Sequence, residues 1–185
     1  FHKISLFFAL LEPTIFSSIE NGITIFSFGG FPLWICQTGF KSAEVYNEIF
    51  KLGFGFVEVG TITPKQQYGN EKPRVFRLEK DHALINRLGF NNDGSEIIKK
   101  RIENNSPNGL LGINIGPNKD TSDMINDFVL CAETFFPLGD YVTINISSPN
   151  TKGLRDFHKP DSLKELLSRI NQIRKKSNFR KKIIE

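Results

Sequence analysis

Three short apolar runs, each followed by a segment with helical spacing, are the feature that most constrains how this chain folds. The runs span residues 54–61 (FGFVEVGT), 110–116 (LLGINIG) and 141–146 (YVTINI). Such runs are typical of buried strands, and their alternation with helices indicates a parallel sheet. Two architectures remain open from the residues alone, a doubly wound sheet and part of a (β/α)8 barrel. A whole barrel needs roughly 250 residues, so the 185 residues here hold about half of one.

Four helices are predicted around these runs. Apolar residues recur at helical spacing in residues 41–52, where Gly53 ends the pattern, and again in residues 95–102. Residues 118–122 (NKDTS) are predicted to cap a third helix. A fourth is predicted to begin at the capping box of residues 162–165 (SLKE) and to pack its apolar face on the sheet.

Two further segments are less regular. Residues 23–28 alternate weakly like a strand, and a second strand is predicted at residues 32–36, after the turn at Gly29 and Gly30. Residues 62–94 form a long excursion rich in proline, glycine, asparagine and charge. Long loops inside compact domains are usually functional.

The amino-terminal segment, residues 1–19, is apolar and is predicted to be helical. Its longest apolar run, residues 4–11 (ISLFFALL), is too short to span a bilayer. Two short helices separated at Pro13 either lie on a membrane surface or pack on the domain as a lid. The predicted organisation is therefore a segment of residues 1–19 followed by an α/β domain of residues 20–185. The chain begins with Phe1, and both ends are expected to be cut from a longer chain.

Composition argues against several classes of protein. The two cysteines, Cys36 and Cys131, form no disulfide framework and no zinc spacing, which favours a reducing compartment. The three histidines share no ligand spacing, so no metal site is predicted. The net charge is +4, with basic residues clustered near the end at 174–182. That cluster is interpreted as a solvated helix face, and no nucleic acid is predicted as a partner.

Polar residues stand where each predicted strand ends. They include Thr61 at the end of the first run, Asn114 within the second, Asn145 within the third and Ser148 just after it. The carboxyl ends of parallel strands converge on the ligand side of an α/β sheet. Asparagine is depleted in strands, and a buried amide must satisfy both its oxygen and its hydrogens. The two asparagines either tie down backbone or, as we favour, bind a flat heteroaromatic ligand.

Five blocks in unbroken order resemble the quinone-dependent (class 2) dihydroorotate dehydrogenases. The resemblance covers roughly residues 41–176. The blocks are residues 54–65 (FGFVEVGTITPK), 69–78 (GNEKPRVFRL), 85–91 (INRLGFN), 112–116 (GINIG) and 145–155 (NISSPNTKGLR).

The resemblance implies a flavin enzyme of pyrimidine biosynthesis that oxidises dihydroorotate to orotate with FMN and a membrane quinone. It implies the first half of a (β/α)8 TIM barrel, preceded by an apolar helical segment that docks on a membrane surface. The expected location is therefore peripheral, on a bacterial or mitochondrial inner membrane.

The resemblance also implies roles for individual residues. Ser148 is expected to be the general base that removes the C5 proton of dihydroorotate. The expected substrate-binding residues are Lys41, Asn86, Arg87, Leu88, Gly89, Phe90, Asn145 and Asn150. The expected cofactor-binding residues are Thr38, Gly39, Thr61, Asn114 and Asn145.

A segment that precedes the five blocks, residues 37–41, departs from the family pattern. The family usually has AAGFDK where this chain has Gln37, Thr38 and then Gly-Phe-Lys41, so an aspartate is missing and bulkier residues replace two alanines. Weak or absent FMN binding by this chain is therefore one expectation, and a non-catalytic remnant is the first alternative. A related FMN-dependent barrel oxidoreductase, similar to dihydropyrimidine dehydrogenase or dihydrouridine synthase, is the second.

Overall fold

The computed structural model describes residues 41–176 throughout and, outside that range, the backbones of four strands. Elements are numbered along the chain. The strands are β1 Ile19–Glu20, β2 Ile23–Phe28, β3 Phe31–Ile35, β4 Phe56–Ile62, β5 Val75–Leu78, β6 Ala83–Asn86, β7 Leu110–Ile115, β8 Tyr141–Ile144 and β9 Lys182–Ile184. The α-helices are α1 Tyr46–Lys51, α2 Ser95–Asn104, α3 Met124–Phe135 and α4 Pro160–Lys176. Two 3₁₀ helices span Glu79–Asp81 and Leu154–His158.

The central sheet is parallel and has the strand order β4-β7-β8-β9. Helices connect its consecutive strands, as the alternation in the sequence predicts. The three predicted runs form β4, β7 and β8, although β8 ends at Ile144 rather than at residue 146. All three strands therefore deliver their carboxyl ends to one edge of the sheet.

The two faces of the sheet differ in polarity because successive side chains in a strand point to opposite sides. One face joins the helices in the buried hydrophobic cluster, with Val57, Val59, Ile62, Leu111, Ile113, Ile115, Val142 and Ile144. The opposite face carries Glu58, Thr61, Asn114, Tyr141, Thr143 and Asn145, of which the first three are buried.

A register shift in β4 makes this separation possible. Val59 pairs with Ile113, but the next pair along the ladder is Ile62 with Ile115, so one strand has an additional residue between the pairs. Simple alternation would place Thr61 on the same side as Val59. The additional residue instead puts Thr61 on the polar face, where it bonds Asn114, and leaves Ile62 in the hydrophobic core.

The helices cover the apolar face of the sheet. In α3, the buried side chains include Phe128, Cys131, Ala132 and Phe135, and the Cys131 thiol lies 3.8 Å from the carbonyl oxygen of Ile62. The apolar residues of α4 include buried Leu166 and Ile170, and α4 packs chiefly on α3 and on the second 3₁₀ helix. Leu166 and Ile170 belong to the same buried cluster as the apolar side chains of the sheet.

Two predicted helix starts are wrong. The α3 helix is capped by Asp123, whose Oδ1 accepts a hydrogen bond of 2.9 Å from the backbone N–H of Asn126, and not by residues 118–122. The α4 helix begins at Pro160, where the fixed φ of proline suits the first turn, so Ser162 lies inside the helix. Local cap motifs occur at both positions, but α3 is capped by the next residue along the chain and α4 begins two residues before its motif.

The excursion of residues 62–94 contains an antiparallel hairpin of β5 and β6. Its loops are tied to the sheet edge by Asn92, whose Nδ2 donates to Thr63 Oγ1 at 2.9 Å, and by Asn118, whose Nδ2 donates to the carbonyl oxygen of Lys65 at 3.0 Å. The long excursion is therefore an ordered layer at the polar edge of the sheet.

The predicted strands at 23–28 and 32–36 are present as β2 and β3, which pair antiparallel with each other. The apolar segment predicted to be helical lies outside the described residues up to position 18, and Ile19 begins β1. Among the helices that the structure describes, none is long and apolar enough to cross a membrane.

Candidate active site

Three of the expected ligand-binding residues form a hydrogen-bonded row across the ends of three neighbouring strands. The Thr61 hydroxyl donates to Asn114 Oδ1 at 2.7 Å, and Asn145 Nδ2 donates to Thr61 Oγ1 at 2.9 Å. Thr61 follows Gly60 in β4, Asn114 lies in β7, and Asn145 directly follows β8. The parallel register therefore brings together residues that are far apart in the sequence.

The row continues inward to a buried carboxylate. Asn114 Nδ2 donates to Glu58 Oε1 at 3.0 Å, and the Thr143 hydroxyl donates to Glu58 Oε2 at 2.8 Å. Glu58 is only 5% exposed. Burial, together with the adjacent Glu58 carboxylate, raises the pKa of the Tyr141 phenol.

Sequence reasoning missed Glu58 as a functional candidate and Thr143 as its hydrogen-bond partner. The signal for Glu58 was present, because a charged residue stands inside an otherwise apolar strand. A buried charge is costly unless its oxygens find hydrogen-bond donors, so its position could have predicted a polar network on that face. Thr143 gave no comparable signal, since threonine is common in strands.

The loop after β8 holds the expected base, Ser148. Asn145 Oδ1 accepts hydrogen bonds of 3.2 Å from both the backbone N–H and the hydroxyl of Ser147. Ser148 Oγ accepts a 3.2 Å hydrogen bond from the backbone N–H of Asn150. Ser148 is partly exposed, so its hydroxyl is in a folded turn that remains reachable by a ligand.

The second 3₁₀ helix holds this loop from the other side. Arg155 Nε donates to the carbonyl oxygen of Ser147 at 3.3 Å. His158 Nε2 lies 3.1 Å from the carbonyl oxygen of Ile146. A carbonyl oxygen can only accept, so Nε2 carries the hydrogen in this contact. Two carbonyl groups next to Ser148 are thereby fixed by side chains further along the chain.

Phe90 lies beside the row. It is buried, and its backbone has a positive φ of 53°. A Cβ atom placed on Gly116 would lie 2.7 Å from Thr61 Cγ2 and 3.1 Å from Phe90 Cε2. The missing side chain of Gly116 therefore allows Thr61 and the Phe90 ring to approach each other at the end of β7.

Lys41 lies near the same segment, where its Nζ donates to Asn91 Oδ1 at 3.1 Å. Burial, and then the positive charge of Arg74, lower its pKa to about 8. Lys41 and Arg74 line a cleft of about 290 Å³. The side chains of Thr61, Asn114 and Asn145 are not part of the cleft lining, so the cleft lies next to the row and not over it.

Other expected substrate-binding residues are not brought to the row. Asn86 is exposed at the end of the hairpin, and its Oδ1 accepts from Leu88 N at 3.4 Å. Arg87 donates from Nε and Nη2 to the carbonyl oxygen of Pro73, at 3.1 and 2.9 Å. The carbonyl groups of Leu88 and Gly89 accept hydrogen bonds from the loop of residues 67–70.

Asn150 contributes its backbone N–H to the Ser148 turn, and within the described part of the chain no hydrogen bond joins it to Asn145. The expected cofactor residues Thr38 and Gly39 lie outside the described residues.

The row offers hydrogen-bond chemistry that suits a flat heterocycle. Thr61, Asn114 and Asn145 present hydroxyl and amide groups, which can both donate and accept. Gly60 and Gly116, at the ends of β4 and β7, add no side chains there. A planar ring with carbonyl oxygens and N–H groups fits such a surface. On binding, the ring would replace some of the hydrogen bonds that the three side chains make with one another.

Comparison with known proteins identifies related sequences. Residues 31–183 match the family model for dihydroorotate dehydrogenase. The chain is 55% identical over 134 residues to a quinone-type dihydroorotate dehydrogenase of Bartonella henselae, covering 72% of this chain and 37% of the relative. It is 49% identical over 146 residues to that of Rhodopseudomonas palustris strain BisB5, covering 78% of this chain and 40% of the relative.

Solved structures show the same likeness. The DHODH of Eimeria tenella in complex with ferulenol superposes with a TM-score of 0.72 at 40% identity, covering 82% of this chain and 44% of that one. Its ligand-free form also gives 0.72, at 45% identity, covering 76% and 42%. The chain therefore spans about two fifths of the length of the relatives it matches.

Proposed function

This chain belongs to the dihydroorotate dehydrogenase family, and from that membership we propose that it carries part of an active site that oxidises dihydroorotate to orotate in pyrimidine biosynthesis. FMN would take part as the cofactor and a membrane quinone as the final electron acceptor. The observation that carries the proposal is the row of Thr61, Asn114 and Asn145 beside the Ser148 loop.

FMN binding would use the row. Thr61, Asn114 and Asn145 hold the flavin ring by hydrogen bonds from their hydroxyl and amide groups, with Thr38 and Gly39 contributing from the preceding segment. The chemistry that FMN supplies when bound is acceptance of a hydride and delivery of electrons to a quinone. The mixed donors and acceptors of the row support this role, as does its position at the carboxyl ends of parallel strands.

Ser148 is the general base in this proposal. Its Oγ receives the C5 proton of dihydroorotate, while the hydride leaves from the neighbouring carbon. Serine is a weak base at neutral pH, so the proton must pass on to water or to a neighbouring hydroxyl. The turn that orients Ser148 Oγ toward the N–H of Asn150 supports a fixed position for this oxygen.

The substrate is held by the residues around this base. Asn145 contacts substrate as well as cofactor, and Asn86 and Asn150 bind the ring and the carboxylate. Lys41 supplies positive charge for the carboxylate, and Phe90 packs on the ring. The segment of Arg87, Leu88 and Gly89 shapes the same pocket. Phe90 is already beside Thr61 across Gly116, and Lys41 is bonded to the adjacent Asn91.

The parallel sheet is the first part of a (β/α)8 barrel in this proposal, with the polar face of the sheet turned toward the barrel interior. The superposition on Eimeria tenella DHODH supports it. The segment of residues 1–19 docks on a membrane surface, where quinone is dissolved, which gives a peripheral location on the membrane. The apolar sequence of that segment supports this part.

The experiment is to express the chain, add FMN and record its visible spectrum before and after anaerobic addition of dihydroorotate. A protein-bound flavin that is bleached by dihydroorotate supports the proposal. Ser148→Ala should slow flavin reduction by roughly 10²- to 10⁴-fold, the usual contribution of a general base, with little loss of orotate binding. Ser147→Ala is the matched control and should reduce the rate less. Absence of flavin retention contradicts catalysis by this chain and favours the non-catalytic alternative.

A further inference from the structure

The buried carboxylate of Glu58 determines how the row can be hydrogen-bonded. Glu58 stands on the polar face of β4, level with Gly112 of β7 and Tyr141 of β8. Its two oxygens accept from two different strands, from Asn114 Nδ2 and from the Thr143 hydroxyl. An ionised carboxylate accepts hydrogen bonds and donates none. The side chain that faces it must therefore turn a donor toward it.

The orientation of each side chain in the row then determines whether its neighbour must donate or accept. Asn114 has one donor end and one acceptor end, and Glu58 takes the donor end, so Asn114 Oδ1 faces Thr61. A hydroxyl has a single hydrogen, and Thr61 uses it for that oxygen. Only lone pairs of Thr61 remain for Asn145, which must turn its Nδ2 toward them.

The orientation of Asn145 also affects the loop that carries Ser148, the proposed base. With Nδ2 of Asn145 committed to Thr61, its Oδ1 faces Ser147 and accepts from both the N–H and the hydroxyl of that residue. Reversal of the Asn114 amide would reverse every donor and acceptor in the row. Asn114, which is ambiguous alone, is thus given one orientation by Glu58 at the inner end, and the backbone N–H of Ser147, which can only donate, holds Asn145 in the matching orientation at the outer end.

We propose that Glu58 is a positioning residue that fixes the hydrogen-bonding direction of Asn114, Thr61 and Asn145. The inference rests on the proposed function for its meaning in catalysis, because those three residues are the ones assigned to flavin and substrate. Glu58 itself is assigned to neither ligand. Packing alone does not account for a glutamate here, because burial of a carboxylate is unfavourable unless its oxygens are hydrogen-bonded.

The first test is nuclear magnetic resonance of the full chain without ligand, observing the side-chain amide groups of Asn114 and Asn145. The Asn114 amide should give a single set of signals with slow hydrogen exchange and a coupling across the hydrogen bond to the Glu58 carboxylate. Fast exchange, or two sets of signals for Asn114 in the wild-type chain, overturns the inference without any variant.

Variants then test whether Glu58 influences the orientation of Asn145 through Asn114 and Thr61. Glu58→Leu removes both acceptor oxygens, and the amide signals of Asn114 and of the more distant Asn145 should both shift or double. Glu58→Gln keeps one acceptor oxygen and should restore part of the single arrangement. Thr143→Val is the matched control, since it removes a hydrogen bond of Glu58 that does not involve Asn114 and leaves the Asn114 side intact. Unchanged Asn145 signals in folded Glu58→Leu overturn the inference.

FMN binding, measured by the quenching of FMN fluorescence, tests whether the hydrogen-bonding direction of the row matters for the proposed function. Glu58→Leu should weaken FMN binding about tenfold, the scale of one lost hydrogen bond to a charged group. Thr143→Val should change it less than about threefold. If the wild-type chain binds no FMN, the proposed function fails, while the amide signals still decide the role of Glu58. If Glu58→Leu does not fold, the exchange and coupling in the wild type decide it.

Discussion

The hydroxyl of Thr61 donates a hydrogen bond of 2.7 Å to the side-chain oxygen of Asn114, although the two residues lie 53 positions apart on neighbouring parallel strands. Thr61 also accepts from Asn145, so one hydroxyl joins three strands. Few side chains can do this, because the position needs a donor and an acceptor in one small group. The stability of this part of the fold and its proposed ligand chemistry therefore depend on the same atom.

Thr61→Val should destabilise the chain by about 1–3 kcal/mol. Valine keeps the shape of threonine but leaves Asn114 Oδ1 and Asn145 Nδ2 without their present partner, and an unsatisfied buried polar group costs that amount. Urea unfolding followed by circular dichroism measures the difference. The matched control is Thr134→Val on α3, where the hydroxyl bonds the Leu130 carbonyl on an exposed surface. A similar loss in both variants would contradict the special role of Thr61.

Gly116→Ala should also be destabilising, by about 1–3 kcal/mol for an overpacked site. The new methyl group would meet Thr61 Cγ2 at 2.7 Å and Phe90 Cε2 at 3.1 Å. Thr61→Ser removes Cγ2 and keeps the hydroxyl, so the double variant should lose less stability than the sum of the single changes. A double-mutant cycle by urea unfolding measures this coupling, and strict additivity would show that the contact is absent.

Stability should depend on pH through Lys41, whose pKa burial and Arg74 lower from 10.5 to about 8. Between these two values the unfolded chain binds more protons at this residue than the folded chain does, so the free energy of unfolding rises with pH there. Lys41→Met should be more stable than the wild type near pH 7, and the difference should shrink as the pH rises from 8 to 10.5. Urea unfolding at several pH values measures both. A constant difference would contradict the lowered pKa.

Arg74→Gln provides an independent check on the same residue. It removes the second cause of the shift, so the Lys41 pKa should rise but remain below 10.5, because burial is the larger cause. Titration of the Lys41 Nζ signal by nuclear magnetic resonance measures it. Arg87→Gln is the control, since Arg87 is held at the hairpin by Pro73 and is not among the causes of the shift.

Arg155→Leu should loosen the Ser148 loop without unfolding the domain. The variant removes the hydrogen bond to the Ser147 carbonyl and leaves that of His158 to the Ile146 carbonyl. Exchange of the backbone N–H groups of Ser147 and Asn150 should become about threefold to tenfold faster, as expected for one net hydrogen bond. Lys152→Ala, at an exposed position of the same loop, is the control. Equal exchange rates in both variants would show that Arg155 does not hold the loop.

Much of the sheet and the row itself followed from patterns in the sequence. Three apolar runs predicted β4, β7 and β8, and the convergence of parallel strand ends predicted that Thr61, Asn114 and Asn145 lie together. The part played by Glu58 did not follow, because hydrogen-bond direction depends on which atoms face each other across strands. The α3 cap at Asp123 and the α4 start at Pro160 were missed since several nearby residues were suitable caps.

The hairpin of residues 75–86 was also not predicted from the sequence. Its apolar residues occur on both faces and remain partly exposed, so no simple alternation marks them. The positions of Asn86 and Asn150 relative to Asn145 depend on loops of that kind. Their predicted contacts with substrate stay predictions, and the row is the part of the site to which the sheet gives a definite geometry.

The register shift in β4 gives that strand two separate sides along its whole length. On one side, Val57, Val59 and Ile62 contribute to the packing of helices, and any change there is judged by volume and shape. On the other side, Glu58 and Thr61 contribute to the polar face, where a change is judged by donors and acceptors. Substitutions on one side need not be matched on the other. A family built on this strand can therefore alter what its pocket binds and keep the same core, or repack its core and keep the same pocket.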